Sequence, residues 1–91
     1  MSVEIGFTNH GFKRFLERVN SKTKEKEACV KIKKIYRNGE RINEMTQFEK
    51  RFCYSKMRKY AYNVGRIVKY DDIFYFFSKT GKCITCYPMG D

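Results

Sequence analysis

The only histidine of the chain, His10, is followed at +4 and +8 by Arg14 and Arg18 in the stretch "TNHGFKRFLERVN". On a helix these three side chains share one ridge. With His10 at 0°, Arg14 falls at about 40°, Arg18 at about 80° and Glu17 at about −20°. The apolar residues Phe12, Phe15, Leu16 and Val19 span roughly 140° to 240°. His10 therefore points away from the apolar side, and only Arg18 borders it. One reading is an amphipathic helix with a wet basic face. Against it, like charges at i, i+4 cost a few tenths of a kcal/mol. A phosphate held between the two guanidinium groups would offset that repulsion. Glu17 compensates His10 or Lys13 in part.

Cleavage of RNA by its own 2′-hydroxyl needs a base, a stabiliser of the phosphorane and an acid for the leaving oxygen. A histidine is suited to the proton transfers, and arginines to the charge on the non-bridging oxygens. With one histidine, a second acid–base group has to be Tyr, Lys or Glu, and Tyr87, Tyr75 and Lys69 are the candidates. No carboxylate cluster is apparent, so neither a metal nor another cofactor is expected.

The chain has 91 residues, enough for one domain over 1–91. It carries 20 Lys plus Arg against 10 Asp plus Glu, a net charge of +10. Such a field attracts polyanions, nucleic acid foremost, although an acidic protein or an anionic membrane surface fits the charge equally well. Eight Phe and seven Tyr supply much of the bulk. They fill a small core efficiently, while tyrosines on an open sheet face can stack bases. Tyr70, Tyr75 and Tyr87 are balanced between the two uses, whereas the phenylalanines favour the core.

Four cysteines, Cys29, Cys53, Cys83 and Cys86, accompany an N-terminus without the pattern of a signal peptide, and no segment is long and apolar enough for a membrane span. A cytoplasmic protein with reduced thiols and no membrane partner is expected. "CITC" has C-x-x-C spacing. In a strand, however, its two thiols should face opposite sides, with Cα atoms roughly 10 Å apart. That disfavours a disulfide, and no second ligand pair completes a zinc site.

These residues need elements to hold them. "SVEIGF" (2–7) alternates like a short strand or an extended arm. Thr8 or Asn9 can cap a helix running to about Asn20. A second helix fits 24–37, starting behind Ser21 or Thr23 and closed by Gly39, with Ala28, Ile32, Ile35 and Tyr36 inward. A third fits 46–59, with Thr46 as cap and Phe48, Phe52 and Met45 inward. Both present lysines and arginines outward. From Tyr60 the pattern turns to β: "YAYNV", "RIVKY", "IFYFFS" and "CITCYP", separated by "G", "DD" and "KTGK". Phe74 and Phe76 should share one face of the third run, with Ile73, Tyr75 and Phe77 on the other. The predicted fold is α+β, with two to three N-terminal helices packed on a C-terminal three- to four-stranded antiparallel sheet.

"FTNHGFKRFLERV" resembles the T-x-H-A-x-x-R-x-x-x-R opening of small phage and bacterial domains in the barnase–EndoU–colicin–RelE superfamily of metal-independent ribonucleases. "GKCITCYP" looks like their closing strand, and the third helix like an insertion. The resemblance implies an RNase-like domain of toxin or phage type. His10 would be its acid or base, Arg14 and Arg18 would hold phosphate, and Tyr87 would assist. Lys13, Lys69, Tyr75 and Thr85 would line the RNA in a cleft between the first helix and the sheet. Gly11 stands where the family often has Ala, and a second histidine is missing, so the RelE-like branch is the nearer model. An acidic inhibitor or acidic host protein is the partner expected beside RNA. The alternative from a different class is a non-enzymatic basic protein that grips nucleic acid or an acidic host protein.

Overall fold

Two aromatic faces of one sheet organise this protein. The computed structural model describes residues 4–59 and 64–89; "YAYN" (60–63), the start of the first expected strand run, lies outside them. In chain order the elements are β1 (Gly6–Phe7), α1 (Asn9–Arg18), α2 (Glu25–Asn38), β2 (Glu40–Arg41), a 3-10 turn (Ile42–Glu44), α3 (Gln47–Met57), β3 (Val64–Tyr70), β4 (Ile73–Ser78) and β5 (Lys82–Pro88). The sheet order is β1-β5-β4-β3-β2. The β3–β4–β5 meander and the β2–β3 pair are antiparallel, and β1 runs parallel to β5. The fold is α+β, with five strands and one parallel pair. Of the two additional strands, β1 falls within "SVEIGF", which alternates like a short strand, whereas β2 is too short to show an alternation in sequence.

Period-2 alternation on β4 divides the core as expected. Tyr75 and Phe77 join Phe15, Ala28, Ile32, Ile35 and Val68 beneath α1 and α2. Phe74 and Phe76 join Met45, Cys53, Ile67 and Tyr87 beneath α3. The helices therefore cover both faces of the sheet. Phe48 does not point inward as expected: the buried stripe at this end of α3 is Met45, Glu49 and Cys53, and Phe48 falls to its side, 71% exposed.

Thr8 caps α1, its hydroxyl accepting from Gly11 N–H at 2.9 Å. Thr46 caps α3 through a reciprocal box: Glu49 N–H donates to the Thr46 hydroxyl at 3.2 Å, and Thr46 N–H to Glu49 Oε1 at 2.9 Å. Gly39 closes α2, but with φ −69° rather than a left-handed conformation. Its small size serves a close approach, since a Cβ there would meet Val68 Cγ1 at 1.9 Å. Asp71 and Asp72 form the β3–β4 turn, both at positive φ (51° and 62°), the demand of a two-residue hairpin loop.

On β5, Thr85 pairs with Phe76 while Cys83 pairs with Phe77, leaving Ile84 as an extra residue. This bulge reverses the phase of the strand. Cys83 and Cys86, expected on opposite faces, are both buried in the cluster under α1 and α2.

Candidate nucleic-acid interface

β5 and α1 position the corner where two of the expected site residues, Arg18 and Tyr87, meet. β1 flanks β5 only at Lys82 and Cys83. Beyond that point α1 lies along the strand, and the contact is intimate. Thr8 donates to the Cys83 carbonyl through its backbone N–H at 3.1 Å and its hydroxyl at 3.2 Å. A Cβ on Gly11 would stand 1.9 Å from that same oxygen. Glycine is required at this position of α1. At the other end of α1, Arg18 Nη1 donates to the Cys86 carbonyl at 2.9 Å, and its guanidinium lies 4.7 Å from the centre of the Tyr87 ring. α1 thus straddles β5, with Phe15 packed near Tyr75 on one face and Arg18 over Tyr87 on the other.

Tyr87 receives a second cation from α3. Lys56 Nζ stands 5.0 Å from its ring centre and 5.5 Å from that of Phe52. The ring itself leans edge-on against Phe76, with centroids 5.6 Å apart. Two helices that belong to opposite layers of the fold thus converge two positive groups on one buried tyrosine. Among the described residues, no carboxylate forms an ion pair with either cation within 4 Å. The corner can accept an anion, which gives these like charges a shared partner.

The other expected site residues are distributed differently. His10 is exposed in the first turn of α1. Two helical turns, a rise of about 12 Å, separate it from Arg18. Arg14 pairs with Glu17 Oε2 at 2.7 Å, and that hydrogen bond holds the Glu17 carboxyl below its usual range. Lys13 is exposed on α1. Lys69, two strands from β5, is bound to the buried Glu49 and lies 4.0 Å from Asp72. Its hydrogen bond to Glu49 lowers the carboxyl pKa and raises that of the ammonium.

Tyr75 and Thr85 are corrections to the expected nucleic-acid contacts. Tyr75 is 1% exposed in the cluster under α1 and α2, and burial pushes its phenol well above the usual range. An aromatic on a sheet covered on both faces becomes core. Thr85 is fully buried, and its Oγ1 has no hydrogen-bond partner among the described residues. It stands two residues before Tyr87 and on the same face of β5.

The cysteines take no visible part. Burial pushes the Cys53 thiol up to about 12 and raises Cys83 too, the reverse of what a reactive thiol needs. No group of three His, Cys, Asp or Glu side chains that could hold a metal gathers among the described residues. No described helix is long and apolar enough to cross a membrane. A groove of about 560 Å³ beside α2, with Val30 and Tyr70 in its lining, shares no residue with the Arg18 corner.

Sequence reasoning placed Arg18 and Tyr87 in one site but counted Lys56 only as basic surface and Phe52 only as core. Their i, i+4 spacing was the available signal, because it puts an ammonium over an aromatic ring on one helix face. No family model, curated protein or solved structure matches this chain.

Proposed function

We propose that this protein binds RNA through its backbone phosphates, with the Arg18–Lys56–Tyr87 corner as the principal contact and Arg14, Lys13 and His10 continuing it along α1. The observation that supports this reading is the meeting of Arg18 and Lys56 on Tyr87. A net charge of +10 supplies the long-range attraction. Titration of a fluorescent RNA at several salt concentrations is the test. Wild type should bind with an affinity that falls steeply with salt. Arg18→Gln and Lys56→Gln should each flatten the logarithmic slope by about 0.7, one phosphate contact on a single strand. Unchanged slopes in both variants would remove the corner from the interface.

A second reading, metal-independent cleavage by 2′-hydroxyl attack, is favoured by one observation: the exposed His10 shares the helix that carries Arg14 and Arg18. There His10 would move the proton, with Arg14, Arg18 and Tyr87 stabilising charge. It ranks second because a rise of about 12 Å keeps His10 and Arg18 from meeting on a single reacting phosphate. Incubation with total RNA in excess EDTA separates the readings. Cleavage by wild type but not by His10→Ala would establish the ribonuclease, whereas intact RNA with a gel shift would leave binding alone.

A further inference from the structure

The face of α3 next to the corner carries an exposed aromatic that the core does not use. Phe48 is 71% exposed. One turn on, Phe52 is half-buried against Phe74, with ring centroids 5.0 Å apart. Lys56, a further turn on, spans from Phe52 to Tyr87, where Arg18 closes the row. Arg51, exposed, follows Phe48 by three residues and shares its ridge. Aromatic rings and cations therefore alternate along one path: Phe48, Arg51, Phe52, Lys56, Tyr87, Arg18. Only at the Phe48 end is a ring open to a planar ligand, since Tyr87 is 6% exposed.

We infer that this row is a track for single-stranded nucleic acid, with a base stacked on Phe48 and the following phosphates led over Lys56 to Arg18. The inference rests on the phosphate-binding reading above and adds the strandedness of the ligand. A duplex keeps its bases stacked on one another and offers Phe48 only a sugar–phosphate ridge, whereas an unpaired strand can present a base face. Charge complementarity supports a polyanion on this path, since it carries cations and the carboxylate within α3, Glu49, is buried and committed to Lys69, while the open face of Phe48 selects the unpaired strand.

The experiment measures affinities of wild type and Phe48→Ala for a uridine oligomer of about a dozen nucleotides, the matching deoxythymidine oligomer and an RNA duplex of equal length. Wild type should prefer both single strands to the duplex. Phe48→Ala should weaken single-strand binding roughly 5- to 100-fold while leaving the salt slope and the duplex affinity unchanged. A preference for the uridine oligomer over deoxythymidine would identify RNA as the source of the strand. Thermal unfolding of the variant should match wild type, because the side chain is outside the core. Equal affinity for duplex and single strand, with Phe48→Ala indifferent, would overturn the stacking track and leave phosphate binding standing. No binding of any probe at low salt would overturn both.

Discussion

Gly11 is the residue at which intrinsic propensity and tertiary contact disagree in sign. Helix propensity alone predicts that Gly11→Ala gains about 1 kcal/mol. The Cys83 carbonyl oxygen, 1.9 Å from where that methyl would sit, predicts a loss, since α1 must lift off β5. We expect destabilisation of about 1–3 kcal/mol, the usual range for overpacking, read from denaturant unfolding. A gain would mean that α1 slides freely on the strand. Glu49 makes a pH prediction of the same kind. Its carboxyl pKa is held below the ordinary 4.5 by the Lys69 hydrogen bond, so its stabilisation is complete above that value and is lost as pH falls through the folded-state pKa. Lys69 is raised above 10.5, so its share is complete below that value and lost on passing the raised one. The pair should stabilise the fold between about pH 5 and pH 10. Glu49→Gln keeps a cap-competent side chain but should flatten the acid limb of the stability profile; an unchanged limb would show that the pair contributes nothing.

Elements were legible where a period repeats several times. The three helices and the β3–β4–β5 meander follow from repeated patterns, except that Gly65, expected as a turn between "YAYNV" and "RIVKY", lies within β3 at a register irregularity, and the division of β4 between Phe74/Phe76 and Tyr75/Phe77 came directly from alternation. What a period cannot carry was missed: the two-residue strand β2, the exposure of Phe48 on α3, and the bulge at Ile84, which obeys pairing geometry rather than residue type. The site divided in the same way. Arg18 and Tyr87 were found from spacing and resemblance, whereas Tyr75 and Thr85 looked accessible because the cover of both sheet faces does not show in a period: α1 and α2 close over Tyr75, and Thr85 lies on the face that α3 covers. The Asp71–Asp72 turn offers a test at this scale. Both residues hold positive φ, a conformation that Asn and Gly adopt more readily than Asp. Asp71→Asn with Asp72→Gly should raise stability by roughly 1 kcal/mol, measured by thermal melting; a loss would make the 4.0 Å Lys69–Asp72 contact more than a weak surface pair.

Across the whole molecule, positive charge is not gathered on one side. α2 and α3 lie on opposite faces of the sheet and both carry exposed basic residues, so diffuse attraction should be nearly isotropic while the tight contact is local. Neutralising Lys31 and Lys34 on α2 should therefore lower RNA affinity at low salt only modestly, with less change in slope than Arg18→Gln combined with Lys56→Gln. A greater loss from the α2 pair, in the same anisotropy titration, would move the interface to the opposite face.

The extra residue at Ile84 makes β5 a strand whose length carries information apart from its composition. Its first half is anchored to Thr8 and Gly11, and its second half delivers Tyr87 to the far face; one unpaired residue sets the parity between them. Removing residue 84 would leave Cys83 opposite Phe77 and Thr85 opposite Phe76 as consecutive pairs of a regular ladder, with both halves keeping their faces, whereas one more residue beside it would turn one half of the strand inside out. Substitutions such as Ile84→Val should be mild, about 0.5–1.5 kcal/mol, and the single-codon deletion should still unfold cooperatively in denaturant, while insertion of one residue after Ile84 should abolish cooperative folding. At this position the sheet has a residue to spare, so a loss in length is absorbed where a gain is not.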